Sequence, residues 1–207
     1  MTRRSCTARS SEGAGMYKML VIGFSAGGVP LIKRIVQALP RNYPLAVAVV
    51  AHLPEGHEST LAQLLDGIAQ LPVSTAKDKD VIVPGLVYLA PPDYHLLVEK
   101  NRTHAPSFAL SVDGPVKSVR PSIDVLFESA AEAFEGDLIA VLLSGANSDG
   151  AAGMAYVKQL GGLSIVQDPL ESEFSTMPNA VIQRVKVDYV ANIEEIISLL
   201  LSVCEVR

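Results

Sequence analysis

The 207 residues include no tryptophan and only two cysteines, Cys6 and Cys204, near opposite ends of the chain. With no C-x-x-C pair and no cluster, a structural disulfide and a cysteine metal site are both disfavoured. Nor do the four histidines show metal-ligand spacing, so neither a metal nor another cofactor is expected. His57 reads as the start of a helix, and His95 and His104 as surface loop or strand positions. Charge is also sparse: 19% of residues are charged, the net charge is −5, and no basic run or aromatic stacking platform occurs. That balance argues against nucleic acid or an anionic membrane as the main partner. No apolar stretch approaches the roughly 20 residues needed to span a bilayer, so no membrane insertion is expected. Residues 1–16 carry Arg, Ser and Gly without the apolar core of a signal peptide. They read as a disordered leader, with Met16 an alternative start, on a cytoplasmic protein.

Apolar residues, by contrast, are plentiful. The chain is 49% hydrophobic with mean hydropathy +0.30, enough for a single domain over residues 17–207 around one sizeable core. Continuous apolar runs at Met19–Ile22, Leu45–Ala51 and Leu138–Leu143 suit strands covered on both faces. Between them lie helical patterns. Leu31, Ile32, Ile35, Val36 and Leu39 share one face, with Pro30 in the first turn and Pro40 beyond the end. Leu61, Leu64, Leu65 and Ile68 mark a second helix. Ile123, Leu126, Phe127, Ala130, Ala131 and Phe134 mark a third, with Ser122 as its cap.

Short strands are expected at 72–76, 85–90, 163–166 and 187–190, and short helices near 179–184 and from Ile193. His95–Val98 and Phe108–Val112 form a small antiparallel excursion. Alternation of β and α units predicts an α/β fold: a doubly wound, mainly parallel sheet with helices on both faces.

The first strand runs into Gly23-Phe24-Ser25-Ala26-Gly27-Gly28. A dinucleotide fingerprint would need glycine at position 25 and an acidic residue at the end of the second strand, and both are missing. A nucleophile elbow, G-x-S-x-G, is met in full; it lifts the serine oxygen clear of the backbone beside a helix amino terminus. The bland alternative is a turn that merely caps the helix.

Two further residues stand where Ser25 does, at the carboxyl end of a strong strand: His52, and Asp149 in Ser144-Gly-Ala-Asn-Ser-Asp-Gly150. In a doubly wound sheet these ends share one edge. Serine needs a base to become a nucleophile, and an imidazole base needs a carboxylate to hold its tautomer. Taken singly, His52 could be a hydrogen-bonded loop residue and Asp149 a helix cap. The order Ser…His…Asp, with the elbow after the first strand, also differs from the α/β-hydrolases.

Several segments together resemble the catalytic domain of the CheB-type chemoreceptor methylesterases (protein-glutamate methylesterase/glutaminase). They are Ile22–Gly28, His52–Pro54, Pro84–Pro92, His95-Leu96, Arg120–Phe127, Leu143–Gly153 and Gln167–Pro178, in family order over about residues 17–185. The resemblance implies a catalytic triad of Ser25, His52 and Asp149, with an oxyanion held by backbone N–H groups near Ala26 and Ala146. It implies hydrolysis of γ-glutamyl methyl esters, and deamidation of glutamine, on a methyl-accepting chemotaxis receptor or similar helical signalling protein. Some positions near the site depart from the family pattern. Ala26 replaces a threonine, Ala146 a methionine, and Asn147 a glycine. Typical members also carry a receiver domain, for which these 207 residues lack the length, so control is expected from a separate receiver or kinase. Two other readings remain open here: a catalytically silent binding module with the same fold, and a nucleotide- or phosphate-binding protein using Gly27 and Gly28.

Overall fold

A computed structural model describes residues 17–53, 58–100 and 104–202. The expected leader over 1–16 and the helix start at His57 lie outside the described residues. In chain order the elements are β1 (Met19–Phe24), α1 (Val29–Ala38), β2 (Ala46–Ala51), α2 (Glu58–Asp66), β3 (Val73–Thr75), β4 (Val87–Leu89), β5 (His95–Glu99) and β6 (Ser107–Ser111). After them come α3 (Ile123–Phe134), a 3-10 turn (Glu135–Asp137), β7 (Leu138–Leu142), α4 (Ala151–Gln159), β8 (Leu163–Gln167), α5 (Thr176–Arg184), β9 (Tyr189–Ala191) and α6 (Ile193–Ser202).

The three most apolar runs become the centre of the sheet. Every residue of β1, β2 and β7 is buried, as continuous apolar strands require when helices cover both faces. Seven strands lie in the order β3-β4-β2-β1-β7-β8-β9, and each neighbouring pair is parallel. β5 and β6 pair antiparallel in a separate ribbon. Alternate side chains of β1 feed two cores. Met19 and Val21 join α3, α4 and α5 on one face. Leu20, Ile22 and Phe24 join α1, α2 and α6 on the other.

Strand order places the site. From β1 the chain steps to β2, goes out to the edge strand β3 and comes back through β4, then crosses to lay β7 against the opposite side of β1. The reversal opens a crevice at the carboxyl ends of β1 and β7, the position where such sheets bind ligands. α3 packs straight onto β1: a Cβ on Gly23 would stand 2.4 Å from Ile123 Cγ2. Some boundaries depart from expectation: β4 starts at Val87 rather than 85, β9 at Tyr189 rather than 187, and α5 at Thr176 rather than near Asn179. Pro178 falls in its first turn, where a missing N–H costs no helical bond. Among the described residues no helix is long and apolar enough to cross a membrane.

Candidate active site

Ser25 follows the last residue of β1. Its N–H donates to the Ser144 carbonyl at 2.9 Å, and its own carbonyl accepts from Gly28 N–H at 3.0 Å. Gly27 closes that turn with φ of +77°, a conformation glycine takes without Cβ strain. Gly28 then begins α1 with no side-chain cap, and a Cβ there would lie 2.4 Å from the Phe24 ring. The Ser25 hydroxyl is therefore not used as a helix cap. It is half-buried, and among the described residues nothing hydrogen-bonds to it.

Ser144 ties three segments together. Its N–H donates to Gln167 Oε1 at 2.8 Å, and its hydroxyl donates to the Ala26 carbonyl at 2.8 Å and accepts from Phe174 N–H at 3.0 Å. The turns after β1 and β7 and the 168–175 loop are thereby locked in register. Ser144 and Gln167 stand in motifs of the sequence, but their holding role depends on strand neighbours that periodicity does not reveal.

His52 continues β2, its N–H donating to the Phe24 carbonyl at 3.0 Å. Its side chain is 9% exposed, and Nε2 lies 3.0 Å from Asp149 Oδ2. The ring N–H is not aligned on the carboxylate, so the pair is in close electrostatic contact rather than a fully formed hydrogen bond. Such catalytic contacts often tighten only when substrate binds. The other ring nitrogen, Nδ1, faces Asn147 Nδ2 at 3.3 Å.

Asp149 is fully buried. It caps a helix, but not the one it precedes: Gly150, with φ of +89°, occupies the cap position of α4. The Asp149 carboxylate instead sits on the amino terminus of α3. Oδ2 accepts from Ile123 N–H at 2.6 Å, while Oδ1 accepts from the Ser122 hydroxyl at 2.9 Å and Asp124 N–H at 3.2 Å. Helix N-terminal donors favour an anion there. Burial pushes this carboxyl up, but His52, Ile123 N–H and the Ser122 hydroxyl outweigh it and hold the group below its ordinary value of 3.8.

His95 corrects the surface reading, being only 1% exposed. Its Nδ1 accepts from Ser122 N–H at 3.2 Å and its Nε2 donates to the Gly114 carbonyl at 3.1 Å. His95 thus fixes Ser122, which in turn holds Asp149. A second clamp involves Lys117, whose Nζ donates to Asp124 Oδ2 at 2.7 Å and to the Ser148 carbonyl at 2.9 Å. His104 is exposed, as expected. Among the described residues no group of three or more His, Cys, Asp or Glu side chains could hold a metal ion.

Of the residues selected from sequence, the structure brings His52 and Asp149 into contact and sets Ser25 on the adjoining turn without a hydrogen bond to His52. Ala26 and Ala146 lie in the two turns that flank the crevice, and among the described residues their N–H groups meet no acceptor.

A family model described as CheB methylesterase matches residues 20–200. A Leptospira interrogans protein is 43% identical over 88% of this chain and 93% of its own length. The Caulobacter vibrioides protein-glutamate methylesterase/protein-glutamine glutaminase 2 is 38% identical over 83% of this chain and 50% of its own. The chain therefore spans about half of that relative. The crystal structure of the Thermotoga maritima CheB methylesterase catalytic domain superposes with a TM-score of 0.86, at 35% identity, over 90% of this chain and 98% of that one.

Proposed function

Because the chain belongs to the CheB methylesterase family, we propose that it hydrolyses γ-glutamyl methyl esters on a chemoreceptor or similar helical signalling protein. Ser25 Oγ attacks the ester carbonyl and passes its proton to His52. The nitrogen available for that proton is Nδ1, because Nε2 faces Asp149. Asp149, held ionised by α3, stabilises the imidazolium that forms. The N–H groups of Ala26 and Ala146, both without an acceptor among the described residues, receive the oxyanion. His52 then returns the proton to the leaving methoxide, methanol departs, and a water activated by the same imidazole releases glutamate from Ser25. With a glutamine side chain the leaving group is ammonia, and the later steps are identical.

One observation carries this reading. A buried carboxylate, held by three donors at the start of α3, stands 3.0 Å from an imidazole at the crevice, where the Ser25 hydroxyl has no hydrogen-bond partner among the described residues. Capping α3 accounts for the carboxylate, but not for an imidazole set against it at the rim where the serine stands. The test is methanol release from a peptide carrying a γ-methyl glutamyl ester. Wild-type protein should turn it over, and Ser25→Ala should lose at least about 10³-fold of kcat with unchanged thermal unfolding. Retained turnover in the variant would defeat the assignment.

The Ser25 hydroxyl and His52 do not meet, and Asn147 stands at the basic nitrogen. That pair of facts favours a second reading, a silent module with the same fold. A fluorophosphonate probe separates the two, since it labels Ser25 only if the serine is activated.

A further inference from the structure

Among the described residues, Asn147 is the side chain that hydrogen-bonds the imidazole on the side where serine's proton must arrive. Its orientation is fixed by the backbone. Oδ1 accepts from Asp149 N–H at 3.0 Å, so the amide nitrogen is the end turned toward His52 Nδ1, 3.3 Å away. An amide nitrogen has only hydrogens to offer. The ring must therefore present its lone pair at Nδ1 and carry its proton at Nε2, against Asp149 Oδ2 at 3.0 Å. Asn147 and Asp149 select the same tautomer from opposite sides. That tautomer is the one the proposed chemistry requires.

An imidazole nitrogen has a single lone pair. While Asn147 donates to it, Ser25 cannot, and Ser25 indeed makes no hydrogen bond to the ring. Resting on the methylesterase reading above, we propose that Asn147 is a positioning residue that both sets the His52 tautomer and occupies its basic nitrogen until substrate displaces it. A carbonyl oxygen of an ester or amide entering the crevice offers the Asn147 N–H another acceptor. The ring is then left open to Ser25 Oγ–H, whose proton moves to Nδ1 as the oxygen bonds to the carbonyl carbon. A single neutral hydrogen bond biases such an equilibrium by only about 2- to 10-fold, so the site is restrained rather than shut. Among the described residues, the ionisable groups near the ring and its serine are Asp149, 3.0 Å from Nε2, and Glu173, whose carboxylate lies beside Gly27 in the serine's turn.

Two variants test this, read by the pH profile of kcat/KM on a γ-methyl glutamyl peptide and by the ring ¹⁵N signals of His52 in the protein without substrate. Asn147→Gly frees the lone pair. Its plateau kcat/KM should rise about 2- to 10-fold, and its acid limb should move up by as much as about one pH unit, because a bond that favoured the neutral ring is gone. Asn147→Asp keeps an oxygen for Asp149 N–H but turns an acceptor toward Nδ1. It should draw a proton there, move the acid limb up further and slow turnover at neutral pH. Wild-type spectra should show an unprotonated, hydrogen-bonded Nδ1, and that signal should shift in both variants.

If Asn147 merely shapes its turn, Asn147→Asp leaves the profile and ring signals where they were, and the proposal falls while the esterase reading stands. If the ring signals respond but no form of the protein releases methanol, the esterase reading falls and the contact with His52 survives. Protonation of Nδ1 rather than Nε2 in the wild type would also overturn the proposal.

Discussion

At the residue scale, Asp149 is asked to do two things with two oxygens. It stands against His52, and it caps the start of α3 in place of water. Three donors converge on it, Ile123 N–H, Asp124 N–H and the Ser122 hydroxyl, and Nε2 of His52 stands 3.0 Å away. An asparagine would offer one acceptor oxygen and turn an NH2 toward the remaining donors. Asp149→Asn should therefore lose activity by about 10²- to 10⁴-fold and also lose about 1–3 kcal/mol of stability, the cost of buried donors left unpaired. Urea unfolding beside Ser25→Ala separates the two effects, because the serine variant should unfold with the wild type. Equal stability of Asp149→Asn and wild type would show that α3 does not depend on the carboxylate. Ser122→Ala is the milder probe. It removes one donor to Asp149 and the cap of α3, and should cost about 1 kcal/mol.

At the element scale, the site depends on how closely α3 and α4 approach. A Cβ at Gly153 would stand 3.0 Å from the Asp124 carbonyl oxygen, 3.1 Å from its Cα and 2.6 Å from Phe127 Cβ. Two of those atoms are backbone and cannot rotate away. Gly153→Ala should cost about 1–3 kcal/mol through overpacking, and should lower kcat as well, because α3 supplies the donors around Asp149 and α4 follows it directly. Denaturation and steady-state kinetics on the same preparation check both, and a variant that loses stability alone would uncouple the packing from the site.

This closeness marks where sequence reasoning reaches its limit. The strands were legible because β1, β2 and β7 are apolar throughout, and α3 because its apolar residues recur at helical spacing. That Ser25, His52 and Asp149 gather at one edge of the sheet was legible because each follows a strong strand, at once for Ser25 and His52 and after a six-residue turn for Asp149. That Asp149 caps α3 rather than α4 was not, since the partners are 26 residues apart and meet only through tertiary packing. His95 was misread for a related reason. Alternation along β5 sets it with Leu97 and Glu99, on the side away from the buried Leu96 and Val98. The first residue of the strand nevertheless folds over Ser122 and is enclosed.

At the scale of the whole molecule, α4 is held at both ends by carboxylates on different parts of the chain. Asp149 anchors its start through α3. At its last turn Lys158 pairs with Asp188, which also accepts from Ser164 N–H at 3.0 Å and the Ser164 hydroxyl at 2.8 Å. A cation at that end also complements the helix dipole. Burial pushes the Asp188 carboxyl up, but Lys158 and the two Ser164 groups outweigh it and set it below 3.8. Asp149 is depressed in the same way. A carboxyl whose folded value lies below its unfolded one binds fewer protons in the folded state, so its stabilisation is fully present above the unfolded value and disappears as pH falls through the folded one.

Glu128 runs the other way. Burial first, then the neighbouring Asp124 and Glu132 charges, raise it above 4.5, so its protonation on the way down from neutral pH favours the fold. Stability should thus hold or rise slightly from pH 7 to about pH 5 and drop below about pH 4. Glu128→Gln should stabilise at pH 7 and lose that advantage below 4.5. Because Asp149 and Asp188 bracket one helix, the acid loss should also be local at first. Hydrogen exchange at pH 3 should open residues 150–160 and 186–191 ahead of β1 and β2, which contain no titratable side chain. Uniform loss of protection across the sheet would mean that the two carboxylates do not gate this part of the fold.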